Sequence, residues 1–301
     1  MKTTSILLKT RALAAVLAFG WITVAPVPAN AAPLPPLTAA DGNPRLPGKF
    51  VWADLVTDDV PAAAKFYSKL FGWTFNDYGG YLIARNDDRP IGGVFYRQRP
   101  KDKVAEPRWF GYISVPNVEK AKKAVTANGG RVLAEPKKMP DRGEQAVFAD
   151  AEGAVFGVVK SSKGDPEDFA ADPGDWIWIQ LFSNDSRKAV DFYRAVGGYT
   201  MIRNTETNRL NDYVLISEGY ARAVVGTIKP ESRNKVQPTW LPFVRVKSVT
   251  ESVAQAQQLG GKVRLAPKPE LFNGKVAVVA DPTGASIGLL EWDDEIIKGG
   301  R

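Results

Sequence analysis

One carboxylate stands where a charge is costly. Asp54 lies inside the apolar run FVWADLVT, Phe50 to Thr57. An ionised carboxylate among apolar neighbours has to be paired or hydrogen-bonded. Two readings of it follow. In the first, Asp54 is a structural acceptor, with Arg97 or Arg108 on a neighbouring strand as its cation. In the second, it anchors a ligand, or acts as a general base whose pKa is raised by burial. The matching place in the later run WIWIQLFS, Trp176 to Ser183, holds Gln180, which cannot titrate. The first half of the chain is therefore the better candidate for acid–base chemistry.

What is missing narrows the chemistry further. The chain has no histidine and no cysteine. Ser-His-Asp and Cys-His catalysis are excluded, as are zinc sites built from Cys and His and the two-His-one-carboxylate iron site. Only oxygen ligands remain for any metal. No disulfide can staple the fold, so stability rests on core burial. The 40 basic and 33 acidic residues are interspersed. No basic stripe carries interleaved aromatics, so no nucleic-acid partner is expected.

The first residues read separately. Lys2, Lys9 and Arg11 lead into the apolar run Ala12 to Ala25, followed by prolines and the small-x-small triplet Ala29-Asn30-Ala31. The pattern predicts a secretory signal peptide over residues 1–31 and a secreted or periplasmic product, with no membrane segment after cleavage. An uncleaved N-terminal anchor is the alternative, although the run is short for a span. Losing those three cations lowers the net charge from +7 to +4. Residues 32–47 form a Pro-rich segment.

The elements that must carry Asp54 come in a repeat. Trp52, Asp59, Tyr67 and Gly72 match Trp178, Asp185, Tyr193 and Gly198 at one constant offset. Trp109, Gly129, Gly130, Asp150 and Gly153 match Trp240, Gly260, Gly261, Asp281 and Gly284 at another. The chain reads as a tandem duplication, residues 48–161 and 174–295, with a linker over 162–173. Within each half the period switches. FVWADLVT has apolar residues on both faces, as a strand buried on both sides does. Then Asp58 or Asp59 caps a helix, Pro61 suits its first turn, Ala63, Phe66, Tyr67 and Leu70 follow helical spacing, and Gly72 stops it. The order strand–helix–three strands is expected four times.

These residues carry a resemblance. VTDDVPAAAKFYSKLFGW, FSNDSRKAVDFYRAVGGY, NGGRV, LGGKV, ADAEGAVFGV and ADPTGASIGL resemble the vicinal oxygen chelate superfamily of glyoxalases, extradiol dioxygenases and bleomycin-resistance proteins. The resemblance implies an α+β fold in which tandem βαβββ units form two incomplete-barrel, glyoxalase-like modules around clefts. It also implies where metal ligands would stand: Trp52, Phe110, Trp178 and Leu241 on the first strands, and Gly157 and Gly288 on the last. None of these six side chains can bind a metal, so neither a metal nor a cofactor is expected. Such units also swap between chains in relatives, which leaves an oligomer open.

Strand alternation then gives the lining of the clefts. Trp52, Asp54, Phe110 and Tyr112 share the face of the first; Trp178, Gln180, Leu241 and Phe243 share that of the second. An aromatic cavity with few polar groups suits a small apolar or aromatic molecule; aromatics that simply close a core are the alternative. Two functions stay open. One is a metal-free binding module. The other is an enzyme of glyoxalase or dioxygenase ancestry, of lyase, isomerase or oxygenase type, using Asp54 as acid or base or a carboxylate-only metal. Asp150 and Asp281 read as turn residues, Trp73, Trp109 and Trp240 as packing residues. Arg245 is a candidate for facing the second cleft, and Glu291 is expected to point away from it.

Overall fold

The computed structural model describes residues 33–38, 41–98, 106–204 and 212–292. The signal-peptide segment lies outside the described residues.

The first module holds two units. One is β1 (Phe50–Thr57), α1 (Val60–Phe71), β2 (Thr74–Asp77), β3 (Tyr81–Asn86) and β4 (Arg89–Tyr96). The other is β5 (Arg108–Ser114), α2 (Val118–Ala127), β6 (Arg131–Met139), β7 (Gly143–Ala149) and β8 (Val155–Ser161). The second module repeats the pattern with β9 (Trp176–Ser183), α3 (Ser186–Gly197), β10 (Thr200–Arg203), β11 (Tyr213–Ser217) and β12 (Tyr220–Thr227), then β13 (Thr239–Val246), α4 (Val249–Gln258), β14 (Lys262–Leu265), β15 (Val276–Ala280) and β16 (Ser286–Glu291). Strand–helix–three strands occurs four times, as the period changes predicted.

Each module is one eight-stranded sheet, in the order β2-β3-β4-β1-β5-β8-β7-β6 and its counterpart β10-β11-β12-β9-β13-β16-β15-β14. β1 and β5 run antiparallel at the centre, and each pairs in parallel with the last strand of its own unit. The first helix begins where Asp59 accepts the Ala62 N–H at 3.0 Å and ends at Gly72, whose φ of 80° is left-handed. Asp185 and Gly198 do the same for α3. The duplicated residues thus occupy duplicated places.

One face of each sheet, with its helices, is turned to the other module. Two cores form there. One joins Leu55, Phe66, Tyr67 and Trp73 of the first module to Val244, Ala277, Ile287 and Leu289 of the second. The other joins Ile113, Phe148 and Phe156 to Leu181, Phe192 and Tyr193. Trp73, Trp109 and Trp240 are almost wholly enclosed, in the packing role expected of them. The linker is ordered. Asp165 accepts from Ser114 Oγ at 2.5 Å and Ser161 Oγ at 2.7 Å, while just beyond the linker Asp175 takes Asn86 Nδ2 at 2.8 Å and Arg89 Nη2 at 2.6 Å. Arg245 directs its guanidinium to the carbonyls of Ala171 and Trp292 and so pins the linker. Glu291 lies off the cleft row and accepts the Val249 N–H at the start of α4.

Candidate functional site

The opposite face of each sheet carries the row that alternation singled out. Across the first module Trp52 stands beside Tyr112 and Tyr112 beside Gly157; one step along, Gly93 stands beside Asp54 and Asp54 beside Phe110. All four predicted residues of the first cleft therefore meet on one face. Trp52, Phe110 and Tyr112 form a cluster with Val51, Ile83 and Val159, and Asp54 joins them through its hydrogen bonds to Trp52 and Tyr112.

Asp54 is 3% exposed. Its Oδ1 accepts from Tyr81 Oη at 2.5 Å and from Trp52 Nε1 at 2.8 Å. Its Oδ2 accepts from Tyr112 Oη at 2.9 Å. The expected cation, Arg97 or Arg108, is not its partner. The cation whose charge acts on it is Arg142, from the turn between β6 and β7, whose guanidinium lies 3.9 Å from the centre of the Trp52 ring and reaches Tyr81 Oη at 3.5 Å. The reason is topological: Arg97 follows the end of β4 and Arg108 opens β5 beside Val56, whereas the β6–β7 turn reaches over the row.

Burial pushes the Asp54 carboxyl above its ordinary range, against the Arg142 charge and the three donors, which pull it down. Burial and the Asp54 charge hold the Tyr81 and Tyr112 hydroxyls far above the usual tyrosine range, so both stay protonated donors. Every oxygen of Asp54 is thus engaged by the protein. Chemically, the cluster orients Arg142 and two phenols at the foot of an aromatic wall.

Two glycines make this packing possible by close approach. A Cβ on Gly93 would sit 1.9 Å from Tyr81 Oη and 2.5 Å from Asp54 Oδ1. A Cβ on Gly157 would sit 2.2 Å from Tyr112 Cδ1. The ring of Tyr112 fills the space that a longer side chain at 157 would need.

The second module repeats the row without the charge. Gln180 stands beside Leu241 and Trp178 beside Phe243, which lies beside Gly288. Leu290, Val276 and Val278 complete the cluster, with Trp178 and Trp292 packed against it. A Cβ on Gly288 would meet Phe243 Cδ1 at 2.1 Å. Asp150 and Asp281 make the turns their sequence predicts: Asp150 Oδ1 accepts the N–H groups of Glu152 and Ala154, and Asp281 Oδ1 those of Thr283, Gly284 and Ala285. A surface groove of about 430 Å³ runs beside the β6–β7 hairpin, lined by Arg45, Lys138, Glu144 and Lys160. It does not contain the Asp54 cluster, and its charged, open wall offers no aromatic seat.

Two matches to one family model divide at the same boundary as the sheets. Residues 49–158 and 177–289 each fit the Glyoxalase/Bleomycin resistance protein/Dioxygenase superfamily. The chain belongs to that superfamily. Among similar proteins, the Anthracycline biosynthesis protein DauV of Streptomyces sp. (strain C5) is 30% identical over 261 residues, covering 81% of this chain and 94% of DauV. The Anthracycline biosynthesis protein DnrV of Streptomyces peucetius is likewise 30% identical, over 262 residues, covering 81% of this chain and 94% of DnrV. The Mn(II)-bound glyoxalase from Novosphingobium aromaticivorans shares the fold with a TM-score of 0.53 at 16% identity, covering 82% of each chain.

The superfamily resemblance implies a metal, and the residues present do not fit one. The six corresponding positions carry indole, phenyl, isobutyl or hydrogen, none of which donates to a metal. Among the described residues no three Asp or Glu converge. The nearest carboxylate, Asp54, has its oxygens committed to Trp52, Tyr81 and Tyr112.

Sequence reasoning missed Tyr81 and Arg142. Tyr81 was legible only as part of a strand. Arg142 sits in a turn whose course no local periodicity fixes.

Proposed function

We propose that the protein binds a small apolar or aromatic molecule in the cleft of its first module, without a metal and outside the cytoplasm. One observation carries the reading: a wall of Trp52, Phe110 and Tyr112 encloses a single buried polar constellation, Asp54 with Tyr81, Tyr112 and Arg142. An apolar pocket with a few fixed polar groups is what small-molecule sites have in common. Relatives named for anthracycline biosynthesis support a ligand with flat, fused rings. The charged, apolar and small-residue order of residues 1–31 supports export.

The test is a thermal-shift screen of aromatic compounds on the purified protein lacking residues 1–31. A ligand at a hundredfold excess over its Kd adds about 2.7 kcal/mol of stability. The shift is expected to vanish in Trp52→Ala or Phe110→Ala. A screen without any shift, or a shift indifferent to both substitutions, overturns the reading. N-terminal sequencing of the exported protein tests the location; a product that still begins at Met1 counts against it.

The raised Asp54 carboxyl favours a second reading, a metal-free acid–base enzyme of glyoxalase or dioxygenase ancestry. That reading requires turnover that Asp54→Asn abolishes while ligand binding persists.

A further inference from the structure

The first cleft already holds something. Leu37, from the Pro-rich segment ahead of β1, is only 3% exposed and packs in the same cluster as Trp52, Phe110, Tyr112 and Val159. Two residues before it, the Pro35 carbonyl accepts a hydrogen bond from Arg142 Nη1 at 3.3 Å. The segment therefore presents an apolar side chain to the aromatic wall and an oxygen to the one cation of the constellation. We propose that residues 33–38 are an internal pseudo-ligand: they occupy the binding position of the first cleft, and the molecule that displaces them is an apolar compound carrying an acceptor oxygen for Arg142. This rests on the reading of the first cleft as a ligand site and adds the ligand's oxygen, its recognition residue and its built-in competitor.

The character of the segment fits displacement. Its sequence is PLPPLT, and its three prolines remove backbone donors that could tie it to a strand. It joins no sheet. Besides the Arg142 contact, its described tie is Thr38 Oγ1, which accepts from Asn43 Nδ2 at 3.1 Å. The chain just beyond is anchored firmly: Asp165 takes the Leu46 N–H at 2.6 Å, and Asn43 Nδ2 reaches the Asp165 carbonyl at 3.1 Å. A segment held by few hydrogen bonds next to a fixed anchor stays at high local concentration after it leaves, so it competes without being lost. Arg142 itself is 2% exposed, stacked on Trp52, and ready to meet another oxygen once the Pro35 carbonyl withdraws.

Two fluorescent probes separate the parts of the proposal. Anilinonaphthalene sulfonate carries aromatic rings and anionic oxygens; N-phenylnaphthylamine has the same rings and no acceptor oxygen. Titrations use the protein lacking residues 1–31, with Leu37→Asp to expel the segment and Leu37→Ala as a milder variant should the first lose its cooperative melt. The expected result is a tenfold or greater gain in sulfonate affinity on either substitution. Adding Arg142→Met is expected to remove most of that gain and to leave the neutral probe unchanged. Equal binding of both probes before and after the Leu37 substitutions overturns the pseudo-ligand and leaves the binding site standing. A gain that Arg142→Met does not touch overturns the oxygen recognition. Failure of both probes to bind any variant sinks this proposal together with the reading on which it rests.

Discussion

Tyr67 on α1 of the first module donates its hydroxyl to Asp281 Oδ2 of the second at 3.0 Å, and Tyr193 on α3 returns the bond to Asp150 Oδ2 at 3.0 Å. Each tyrosine also accepts an indole N–H, Trp109 at 2.8 Å and Trp240 at 2.7 Å. The repeated Trp, Tyr and Asp are therefore one device used twice, a crossed pair of buried hydrogen-bond chains between the modules. Tyr67→Phe leaves both a buried carboxylate oxygen and an indole N–H short of a partner. Its expected cost is about 1–3 kcal/mol. Tyr193→Phe should cost the same, and the two should add, since they lie in separate cores. Chemical denaturation measures this; a loss below a few tenths of a kcal/mol would show the chains to be energetically idle.

Gly157 lies under the Tyr112 ring, with 2.2 Å left for a Cβ. Gly157→Ala is expected to destabilise by about 1–3 kcal/mol through overpacking. The penalty should shrink in a Tyr112→Leu background, because the clash needs both partners. A double-mutant cycle measures the coupling, and full additivity would contradict the contact.

The burial of Asp54 sets the sign of a pH dependence of stability. Its folded pKa lies above the ordinary 3.8, because burial outweighs Arg142 and the donors from Tyr81, Tyr112 and Trp52. A carboxyl raised in the folded state binds more protons folded than unfolded in that interval. Its contribution is complete below the unfolded value and is lost as pH rises through the folded one. Asp54→Asn keeps an acceptor oxygen and cannot ionise. The stability of wild type minus that of Asp54→Asn should therefore fall as pH rises from about 3.8. Asp150 and Asp281 are raised too, but they are common to both proteins and cancel. A difference that climbs with pH would reverse the assignment.

Added zinc, nickel, iron(II) or manganese should leave the melting temperature unchanged. A site formed only in the native state would add about 2.7 kcal/mol at a hundredfold excess over its Kd. Elemental analysis that found about one metal per chain, lost on Asp54→Ala, would overturn this and revive a carboxylate-metal enzyme.

The fold was legible because its signals are local and doubled. Asp59 and Gly72 bracket a helix in the sequence as they do in the structure, and Asp185 and Gly198 repeat the statement. Trp52, Asp54, Phe110 and Tyr112 were legible as one face because alternation needs only the strand itself. Tyr81, Arg142 and Leu37 were not, since each reaches the Asp54 cluster from a strand, turn or segment placed by tertiary packing. Asp150 and Asp281 were half legible: the turn is local, but the tyrosine that each receives belongs to the other module.

The two cores draw a different map of the chain from the repeat. Almost all of the inner core comes from the second and third units, contiguous in sequence, and almost all of the outer core from the first and fourth, the most distant. The architecture is nested like brackets. Closing the inner pair spans a short loop, whereas the outer pair must be brought together across nearly the whole chain, at a greater cost in chain entropy. Assembly from the middle outward is thereby favoured, with the Asp54 cluster, in the first module, completed as the outer bracket closes. Separating the chain at its repeat boundary would instead leave each fragment with half of both cores.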